Sequence, residues 1–320
     1  MILARSTAEQ NEDGIKILRK RENCEVKTLT ILTTTYNRQK NLPVLYESLK
    51  KQTCQDFCWL LIDDGSQDDT EKLARSWLQE GEISMEFLKK ENGGKHTALN
   101  LGLAQIKTEL TFIVDSDDWL PENAVEIILR YHEKYREVQG LCGYSFLRFY
   151  PDGSVNEAFF PEDEEIDTYV GVRINGGIAG DKAEVFYTDI LRQYPFPVYG
   201  QERFLPEDLI WVKMSGPWKM VHINECVYIS DYLEGGLTKS GRKMKLRSPR
   251  GMMARSWAYL EDPAVNLKTK AKMALLYNVY WEAVKKEKIT QEECRRKHIL
   301  ITMCRIPGKL LYRKWIKQYS

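Results

Sequence analysis

Residues 111–123 read TFIVDSDDWLPEN and combine a predicted β-strand with a cluster of acidic residues. A run of apolar, β-forming residues ends in three carboxylates within four positions: Asp115, Asp117 and Asp118. Carboxylates at this spacing repel one another unless water, a cation or an opposite charge relieves the repulsion. Which of the three does so depends on what else lies at this end of the strand.

Three further apolar segments precede this strand, and amphipathic segments separate them. The predicted strands are TLTILTTTYN, DFCWLLIDD and ISMEFLKK, and the predicted helices are NLPVLYESLKKQT, DDTEKLARSWLQE and KHTALNLGLAQI. Asn41 is the expected N-cap of the first helix, and Pro43 lies in its first turn. Apolar strands that alternate with amphipathic helices indicate a parallel sheet covered on both faces. Residues 28–140 are therefore predicted to form a Rossmann-like α/β half.

The other segments are less regular. Residues 1–27 are polar and charged without periodicity and are interpreted as a loosely ordered polar leader. Residues 151–240 are rich in Gly, Pro and aromatic residues, a composition typical of loops that build a pocket. Residues 251–320 have a helical pattern and are predicted to form a helical C-terminal extension.

The composition is that of a globular protein of 320 residues, enough for one large domain or two small ones. The chain is 43% hydrophobic and 29% charged with a formal net charge of +1, which gives no support to nucleic-acid binding. It contains no apolar run of membrane-spanning length and no apolar signal-peptide core. Its seven cysteines are scattered without a CxxC pair, so no zinc site or disulfide framework is indicated, and a reducing cytoplasm is the expected location.

Polar residues follow the first, second and fourth predicted strands where each strand ends. They are TTTYNR (33–38), DDGSQDD (63–69) and DSDD (115–118), while ENGGKH follows the third strand and adds Lys95. Ligands of an open parallel sheet bind outside the carboxyl ends of its strands, so these groups are expected to share one rim. Carboxylates, hydroxyls, one Arg and one Lys suit a cation together with an anionic ligand. Hard oxygen ligands favour Mg²⁺ or Mn²⁺ shared with phosphate oxygens.

Each of these motifs has a plainer interpretation when it is taken alone. DDGS is a common turn, and ENGGKH lacks the spacing of a Walker phosphate loop. DSDDWLPEN lacks the Gly and the terminal Glu of a calcium loop, and Asp118 with Pro121 also suits the start of a helix. Their joint placement at strand ends is what favours a binding site.

Four motifs occur in an order and spacing that resemble the family 2 glycosyltransferases, which have the GT-A fold: TILTTTYNR, LLIDDGSQDDT, NGGKHTALNLGL and FIVDSDD. The match covers residues 28–140. A weaker similarity to bacterial members that build surface polysaccharides continues through GDKAEVF (180–186), ERFLPEDLIW (202–211) and YLEGGLTKS (232–240). The resemblance implies a mostly parallel central sheet flanked by helices, with residues 141–250 as the acceptor-binding and catalytic-base half of the same domain.

The resemblance also implies roles for residues on the rim. Thr34, Tyr36 and Asp64 match positions that cradle the nucleotide base, with Asp64 accepting a hydrogen bond from the uracil N3–H. Arg38 and Lys95 match positions near the diphosphate. A UDP-sugar is the donor that these matches imply.

The DSDD stretch matches the DxD motif of the family. In that match Asp115 faces the ribose with Ser116 beside it, Asp117 binds the metal, and Asp118 shares contacts with the metal or the donor sugar. The implied cofactor is Mn²⁺ or Mg²⁺. On this interpretation the carboxylates tolerate one another because a divalent cation bridges them to the donor diphosphate.

Glu207 and Asp208 match the acidic pair that contains the general base of inverting members. The resemblance favours Asp208 as the base and leaves Glu207 as the alternative. A plainer interpretation is an N-capping pair in front of the helical segment LIWVKM.

The function implied is an inverting, metal-dependent transfer from a UDP-sugar to a hydroxyl of a glycan or lipid-linked acceptor, in bacterial cell-surface polysaccharide synthesis. A nucleotidyltransferase and a non-catalytic nucleotide-sugar-binding protein are the alternatives. The first would carry a glycine-rich loop that TTTYNRQKN lacks, and the second needs no acidic pair. The basic C-terminal segment KLLYRKWIKQYS suits either peripheral contact with the inner face of the membrane or a helix packed on the catalytic domain.

Overall fold

The computed structural model describes residues 7–10, 15–19, 27–231, 237–285 and 298–319, with side chains in all of these except 7–10, 16–19 and 237–240. The chain forms two compact units, between which it passes several times. The first unit comprises Met1–Asp167, Ile178–Pro195 and Trp218–Asp231, and the second comprises Thr168–Gly177, Phe196–Pro217 and Tyr232–Ser320.

A ten-stranded mixed sheet forms the first unit. Its strands are β1 (Thr7–Gln10), β2 (Lys16–Arg19), β3 (Leu29–Thr35), β4 (Phe57–Asp63), β5 (Met85–Lys89), β6 (Leu110–Ile113), β7 (Leu141–Phe149), β8 (Glu165–Asp167), β9 (Lys182–Tyr187) and β10 (Lys219–Ile229). Their order across the sheet is β1-β2-β5-β4-β3-β6-β9-β7-β10-β8. The four central strands, β5, β4, β3 and β6, are parallel. The predicted α/β fold with a mostly parallel core is confirmed.

Helices cover this sheet: α1 (Leu42–Lys50), α2 (Thr70–Glu80), α3 (Lys95–Gln105), α4 (Ala124–Tyr135) and the short α5 (Thr188–Leu191). Every residue of β3, β4 and β6 is buried, because apolar side chains on both faces of these strands have a layer to pack against. Tyr46 of α1 stacks on Trp77 of α2 with ring centroids 4.3 Å apart, and Trp59 of β4 lies 5.6 Å from the same Trp77. This aromatic cluster joins two helices to the centre of the sheet.

A glycine fixes how closely α3 approaches the sheet. A Cβ at Gly102 would lie 2.4 Å from Cδ1 of Leu32 on β3, a distance that real side chains do not tolerate. The helix that follows the ENGGKH motif therefore rests directly on β3. Its first residue, Lys95, is placed next to the carboxyl end of the sheet by this packing.

Two features of the first unit were not predicted. Strands β1 and β2 lie in the segment interpreted as a loosely ordered leader, and they extend the sheet by antiparallel pairing of β2 with β5. Their polar, short sequences carry no clear period, so pairing rather than local pattern decides them. Cys58 of β4 is disulfide-bonded, although the scattered cysteines gave no indication of a disulfide, and this bond weakens the argument for a reducing compartment.

The second unit is helical, as predicted for the C-terminal extension. Its elements are a short π-helical segment (Val170–Asn175), α6 (Asp208–Met214), α7 (Leu237–Arg247), α8 (Pro249–Glu261), α9 (Leu267–Val284), α10 (Ile299–Met303) and α11 (Arg305–Tyr319). Buried side chains of α8 and α9 form its core: Met252, Met253, Tyr277, Tyr280 and Val284. Asn266 caps α9, since its side chain accepts a 2.8 Å hydrogen bond from the Thr269 amide. No helix in the described part of the chain is long and apolar enough to cross a membrane.

Candidate functional site

The carboxyl end of β4 organises the loop that leads into α3. Asp64 is buried, and its Oδ1 accepts hydrogen bonds from Lys90 Nζ at 2.7 Å and from the Gly93 amide at 2.9 Å. Its Oδ2 accepts from the Gly94 amide at 2.7 Å. Three of the roughly four acceptor sites of this carboxylate are therefore used within the protein. Asp64 holds the GGK loop in place, and one acceptor position is left for the predicted contact with a base.

The chain turns sharply where Asp64 and this loop meet. Gly65 has φ +84°, and a Cβ there would lie 2.7 Å from the Asn92 backbone nitrogen. Asn92 in turn donates its side-chain amide to the Asp64 carbonyl oxygen at 2.8 Å. The DDGS segment is thus a turn, as its plainer interpretation has it. That turn also brings the loop before α3 against the end of β4.

Lys95 connects the start of α3 to the end of β6. Its Nζ lies 2.5 Å from Oδ1 of Asp115, the first carboxylate of DSDD. The side chains of Lys95 and Asp115 are 38% and 33% exposed, so this ion pair is open to a ligand. The structure brings together two residues that the sequence placed on the same rim from different strands.

Arg148, an arginine with a largely buried side chain, lies near two carboxylates of the DSDD segment, those of Asp115 and Asp118. It lies on β7, and its Nη1 is 3.9 Å from Oδ2 of Asp115 and 3.9 Å from Oδ2 of Asp118. Its Nε donates to the Lys182 carbonyl oxygen at 2.7 Å. The Arg148 side chain is 13% exposed, so its charge acts on the two carboxylates with little screening by water. Arg148 belongs to none of the motifs recognised in the sequence.

Tyr228 on β10 completes the arrangement around Arg148. The phenol donates a hydrogen bond to Oδ2 of Asp118 at 2.8 Å and accepts one from the Asp115 amide at 2.9 Å. The ring lies under the guanidinium of Arg148, which is 3.9 Å from the ring centroid. Tyr228 therefore fixes both the backbone of the DSDD segment and the cation that neutralises it.

The surroundings of Asp115 and Asp118 shift the pKa values of these two carboxylates in opposite directions. Burial raises the pKa of Asp115, but Lys95 and Arg148 outweigh burial and hold that pKa below its ordinary value. Burial and the charge of Asp115 raise the pKa of Asp118 to about 7, against the opposing effects of Arg148 and Tyr228. The repulsion inherent in DSDD is thus relieved in the protein itself by the two cations Lys95 and Arg148, and near neutral pH by partial protonation of Asp118.

Asp117 and Arg38 form a second, partly exposed ion pair on the rim. Arg38 Nη2 lies 3.5 Å from Oδ2 of Asp117, with the two side chains 31% and 27% exposed. Tyr36 is 44% exposed, whereas Thr34 and Ser116 are buried. Thr34 is the penultimate residue of β3 and the others follow β3 or β6, so all of them lie at the carboxyl ends of two paired parallel strands.

The donor set suits a metal that is shared with a ligand rather than one held by the protein alone. No group of three or more His, Cys, Asp or Glu able to hold a metal ion occurs among the described residues. Asp115 and Asp118 face Lys95, Arg148 and Tyr228, whereas Asp117 has a longer contact of 3.5 Å with Arg38. Mg²⁺ is commonly bound through one or two carboxylates plus substrate phosphates, and Asp117 fits that mode. The three carboxylates predicted as metal ligands do not form a cage by themselves.

The predicted base lies in the second unit and has its own partners. Asp208 is the first residue of α6, and Arg255 Nε donates to its two carboxylate oxygens at 2.7 and 2.8 Å. The Tyr259 hydroxyl donates to Oδ2 at 2.7 Å. Burial raises the pKa of Asp208, but Arg255 outweighs burial and lowers that pKa overall. Asp208 is therefore an ionised carboxylate held by a bidentate arginine, which makes it a weaker proton acceptor than an ordinary carboxylate.

Glu207 occupies the N-cap position of α6, but its side chain makes no capping hydrogen bond. The interpretation of the acidic pair as a simple cap is therefore not supported by this helix. The assignment of Asp208 or Glu207 as a base stays a prediction.

Comparison with known proteins decides the family. Residues 30–188 match the model of the family described as glycosyl transferase family 2. These residues form a glycosyl transferase family 2 domain. The matched range begins in β3 and ends after β9, so it contains the rim of β3, β4 and β6 described above. The resemblance stated from the four motifs is confirmed.

Curated relatives of this domain include enzymes of teichoic acid metabolism. The chain is 30% identical over 149 residues to the teichoic acid poly(glycerol phosphate) polymerase of Staphylococcus epidermidis, a match that covers 44% of this chain and 20% of the relative. It is 32% identical over 108 residues to the poly(ribitol-phosphate) β-N-acetylglucosaminyltransferase TarP of Staphylococcus aureus, covering 33% of each protein. The chain thus spans no more than a third of either relative.

Solved structures support the fold. Staphylococcus aureus TarS 1–349 in complex with UDP-GlcNAc has a TM-score of 0.59 and 17% identity, covering 88% of this chain and 79% of that one. The mannosyltransferase PcManGT of Pyrobaculum calidifontis, in complex with GDP-Man and Mn²⁺, has a TM-score of 0.54 and 15% identity, covering 91% and 83%. At these identities the likeness confirms the GT-A architecture of the glycosyl transferase family 2 domain.

Arg148 and Tyr228 could not be found from the motifs. Both lie outside the DSDD segment, and Tyr228 is 113 residues away from Asp115. The available signal was a charged residue near the end of the otherwise apolar strand LCGYSFLRF. Such an arginine needs a partner, but the sequence does not say which one.

Proposed function

We propose that this protein is an inverting glycosyltransferase that moves a sugar from a nucleotide sugar to a hydroxyl acceptor in bacterial cell-surface polysaccharide synthesis. The observation that carries the proposal is the rim in which Asp115 and Asp117 of the family's DxD motif meet Lys95 and Arg38. Such a rim combines carboxylates for a cation with positive side chains for a diphosphate. The family membership of residues 30–188 supports a glycosyl donor over other nucleotide ligands.

The donor is a UDP-sugar in this proposal. Tyr36 is exposed at the end of β3 and suits stacking on a base, while Thr34 and Asp64 supply polar groups beside it. The UDP-GlcNAc complex of TarS, which shares the fold, supports this choice. Asp64 would contribute its one remaining acceptor site, and its other three hydrogen bonds would keep the loop before α3 in register with the bound nucleotide.

The diphosphate would lie against Arg38 and Lys95, whose charges stabilise the leaving group as it departs. Mn²⁺ or Mg²⁺, when bound at Asp117, supplies further neutralisation of that charge. The ribose faces Asp115 and Ser116 in this arrangement, and Asp118 is held away from solvent by Tyr228 and Arg148. The positive charges of Lys95 and Arg148 hold the pKa of Asp115 below its ordinary value, so that this carboxylate is ionised for its role.

An inverting transfer also needs a base for the acceptor hydroxyl. Asp208 is the proposed base and Glu207 the alternative. Arg255 and Tyr259 orient the Asp208 carboxylate, and its low pKa ensures that it is ionised when the acceptor arrives. A low pKa also weakens a base. The acceptor hydroxyl would therefore transfer its proton to Asp208 late in the reaction, after its attack on the donor sugar has made that hydroxyl more acidic.

The acceptor in this proposal is a glycan or a lipid-linked glycan, in keeping with relatives whose names include an undecaprenol-linked substrate. A cytoplasmic protein with peripheral contact at the inner face of the membrane, made through the C-terminal helix, fits such an acceptor.

A UDP-release assay over a panel of nucleotide sugars tests the reaction, with Mn²⁺ or Mg²⁺ and again with EDTA. We expect slow, metal-dependent release from one donor, lost in Asp117→Asn and retained in the control Asp189→Asn, whose side chain is 92% exposed. Release of pyrophosphate in place of UDP would support a nucleotidyltransferase. Calorimetric binding of UDP with no turnover on any donor or acceptor would support a non-catalytic binding protein. If UDP with Mn²⁺ does not bind at all, the UDP-based proposal fails.

A further inference from the structure

Helices α10 and α11 expose a row of large apolar side chains. Ile299, Met303, Ile306 and Leu310 are 74%, 69%, 73% and 58% exposed. They are spaced by three or four residues, so they lie along one side of the two helices. We call this row, continued by Arg313 and Lys317, the outer face.

The opposite side of these helices packs on α9. A Cβ at Gly308 would lie 2.4 Å from Asn278 Cβ, and the Asn278 amide donates to the Ile301 carbonyl oxygen at 2.9 Å. Trp315 packs against Tyr280 with ring centroids 6.4 Å apart. The inner side is thus fixed by contacts within the second unit, and the apolar residues of the outer face are not needed for that packing.

The charge around the outer face is of one sign. Residues 298–319 contain five basic residues and no Asp or Glu. The basic residues are all exposed: Arg305, Lys309, Arg313, Lys314 and Lys317. Because the whole chain has a net charge of +1, the rest of it carries −4, so the positive charge is concentrated here.

We infer that the outer face docks on an anionic lipid bilayer, with Ile299, Met303, Ile306 and Leu310 inserted among the acyl chains near the headgroups. A basic helix with an apolar side is the arrangement that lies in a membrane interface. Lys and Arg next to the inserted residues pair with anionic headgroups. A second copy of this chain suits the face poorly, since a two-fold contact would bring two sets of five positive charges together.

The outer face is the surface that would make the peripheral membrane contact of the proposed function, on which this inference rests. Its test requires neither a sugar donor nor an acceptor. Failure of the docking therefore leaves the transfer reaction untouched, and the reverse also holds. The full chain is sedimented with vesicles of phosphatidylcholine plus phosphatidylglycerol, and with vesicles of phosphatidylcholine alone. We expect binding to the anionic vesicles only, weakened by added salt.

Variants of exposed residues test the face without disturbing the fold. Ile306→Ser with Leu310→Ser is expected to lower the vesicle affinity at least about tenfold. Arg313→Gln and Lys317→Gln are each expected to lower it about fivefold. The control is Leu267→Ser, a 70% exposed apolar residue at the start of α9 that lies outside the outer face; its vesicle binding should equal that of the parent chain.

Three results would overturn the inference. The first is no binding to anionic vesicles, or equal binding to neutral ones. The second is vesicle binding that the substitutions on the outer face leave unchanged. The third is a stable dimer in analytical ultracentrifugation that Ile306→Ser with Leu310→Ser dissociates, which would assign the face to a second copy of the chain.

Discussion

Arg148 and Tyr228 are partners in the register of the parallel strands β7 and β10, and the guanidinium lies 3.9 Å from the centre of the phenol ring. This pair lies beside the DSDD segment and contacts two of its carboxylates. Arg148 supplies charge to Asp115 and Asp118, while Tyr228 supplies a hydrogen bond to Asp118. The protein thereby carries a built-in counter-ion beneath the carboxylates that face the proposed donor.

Arg148→Met should lower the free energy of unfolding by about 3 to 5 kcal/mol, because it leaves two carboxylates near each other without their buried cation. Urea denaturation measures the change. Arg136→Met is the matched control, since Arg136 is 49% exposed and its loss should change stability by less than about 0.5 kcal/mol.

A double variant separates charge from packing at this site. Adding Asp118→Asn to Arg148→Met removes one of the two carboxyl groups that Arg148 faces, so it should recover part of the lost stability. Purely additive effects of the two substitutions would show that Arg148 acts through packing on Tyr228 alone.

Tyr228→Phe removes the hydroxyl that joins the Asp115 amide to the Asp118 carboxylate. We expect a loss of about 1 to 3 kcal/mol, because the buried Asp118 carboxylate and the partly buried Asp115 amide each lose a partner. Urea denaturation again measures the change. Tyr46→Phe serves as control, since its hydroxyl has a single partner, Glu80, so its loss should be smaller. Equal losses in the two variants would contradict a special role for the Tyr228 hydroxyl.

Asp64→Asn tests whether Asp64 holds the loop before α3. An amide offers one oxygen in place of two, so it cannot accept all three hydrogen bonds from Lys90, Gly93 and Gly94. We expect faster hydrogen exchange of the Gly93 and Gly94 amides and a UDP affinity at least about tenfold weaker. Lys90→Met removes one loop contact but leaves the carboxylate. The contradicting result is that Lys90→Met weakens UDP binding as much as Asp64→Asn does, without faster hydrogen exchange of the Gly93 and Gly94 amides. That result would show that UDP affinity does not depend on the hydrogen bonds between Asp64 and the loop.

Asp208→Asn tests the ion pair of α6 through its pH dependence. The pKa of Asp208 is lower in the folded protein than in the unfolded chain. Its stabilising contribution is therefore complete above the unfolded pKa of about 4 and disappears as the pH falls through the folded pKa. Asp208→Asn should cost about 3 kcal/mol at neutral pH, and the difference from the parent chain should shrink in acid.

Activity distinguishes a base from a structural ion pair at the same residue. If Asp208 is the base, Asp208→Asn should lower kcat while UDP affinity stays unchanged. A low kcat in Glu207→Gln with full activity in Asp208→Asn would assign the role to Glu207. Asp189→Asn controls for the loss of a carboxylate at an exposed position.

The parallel strands at the centre of the sheet were predictable because the local sequence pattern identifies each of them. The segments that became β3, β4, β5 and β6 are apolar enough to be recognised, and the helices between them force parallel pairing. Strands β1 and β2 were not predicted, because a segment of four residues is too short to show the alternation of polar and apolar residues that identifies a strand. Their pairing with β5 is a property of the finished sheet edge.

The positions of Arg38, Asp64, Lys95 and the DSDD carboxylates at one edge of the sheet could be predicted from the primary sequence, because these residues follow predicted parallel strands. How the repulsion among the carboxylates is relieved could not be predicted without the folded chain. The counter-ion comes from Arg148, held by Tyr228, and both belong to strands that reach the motif from elsewhere in the chain. Electrostatic energy depends on distance in space and on burial, neither of which a sequence motif contains.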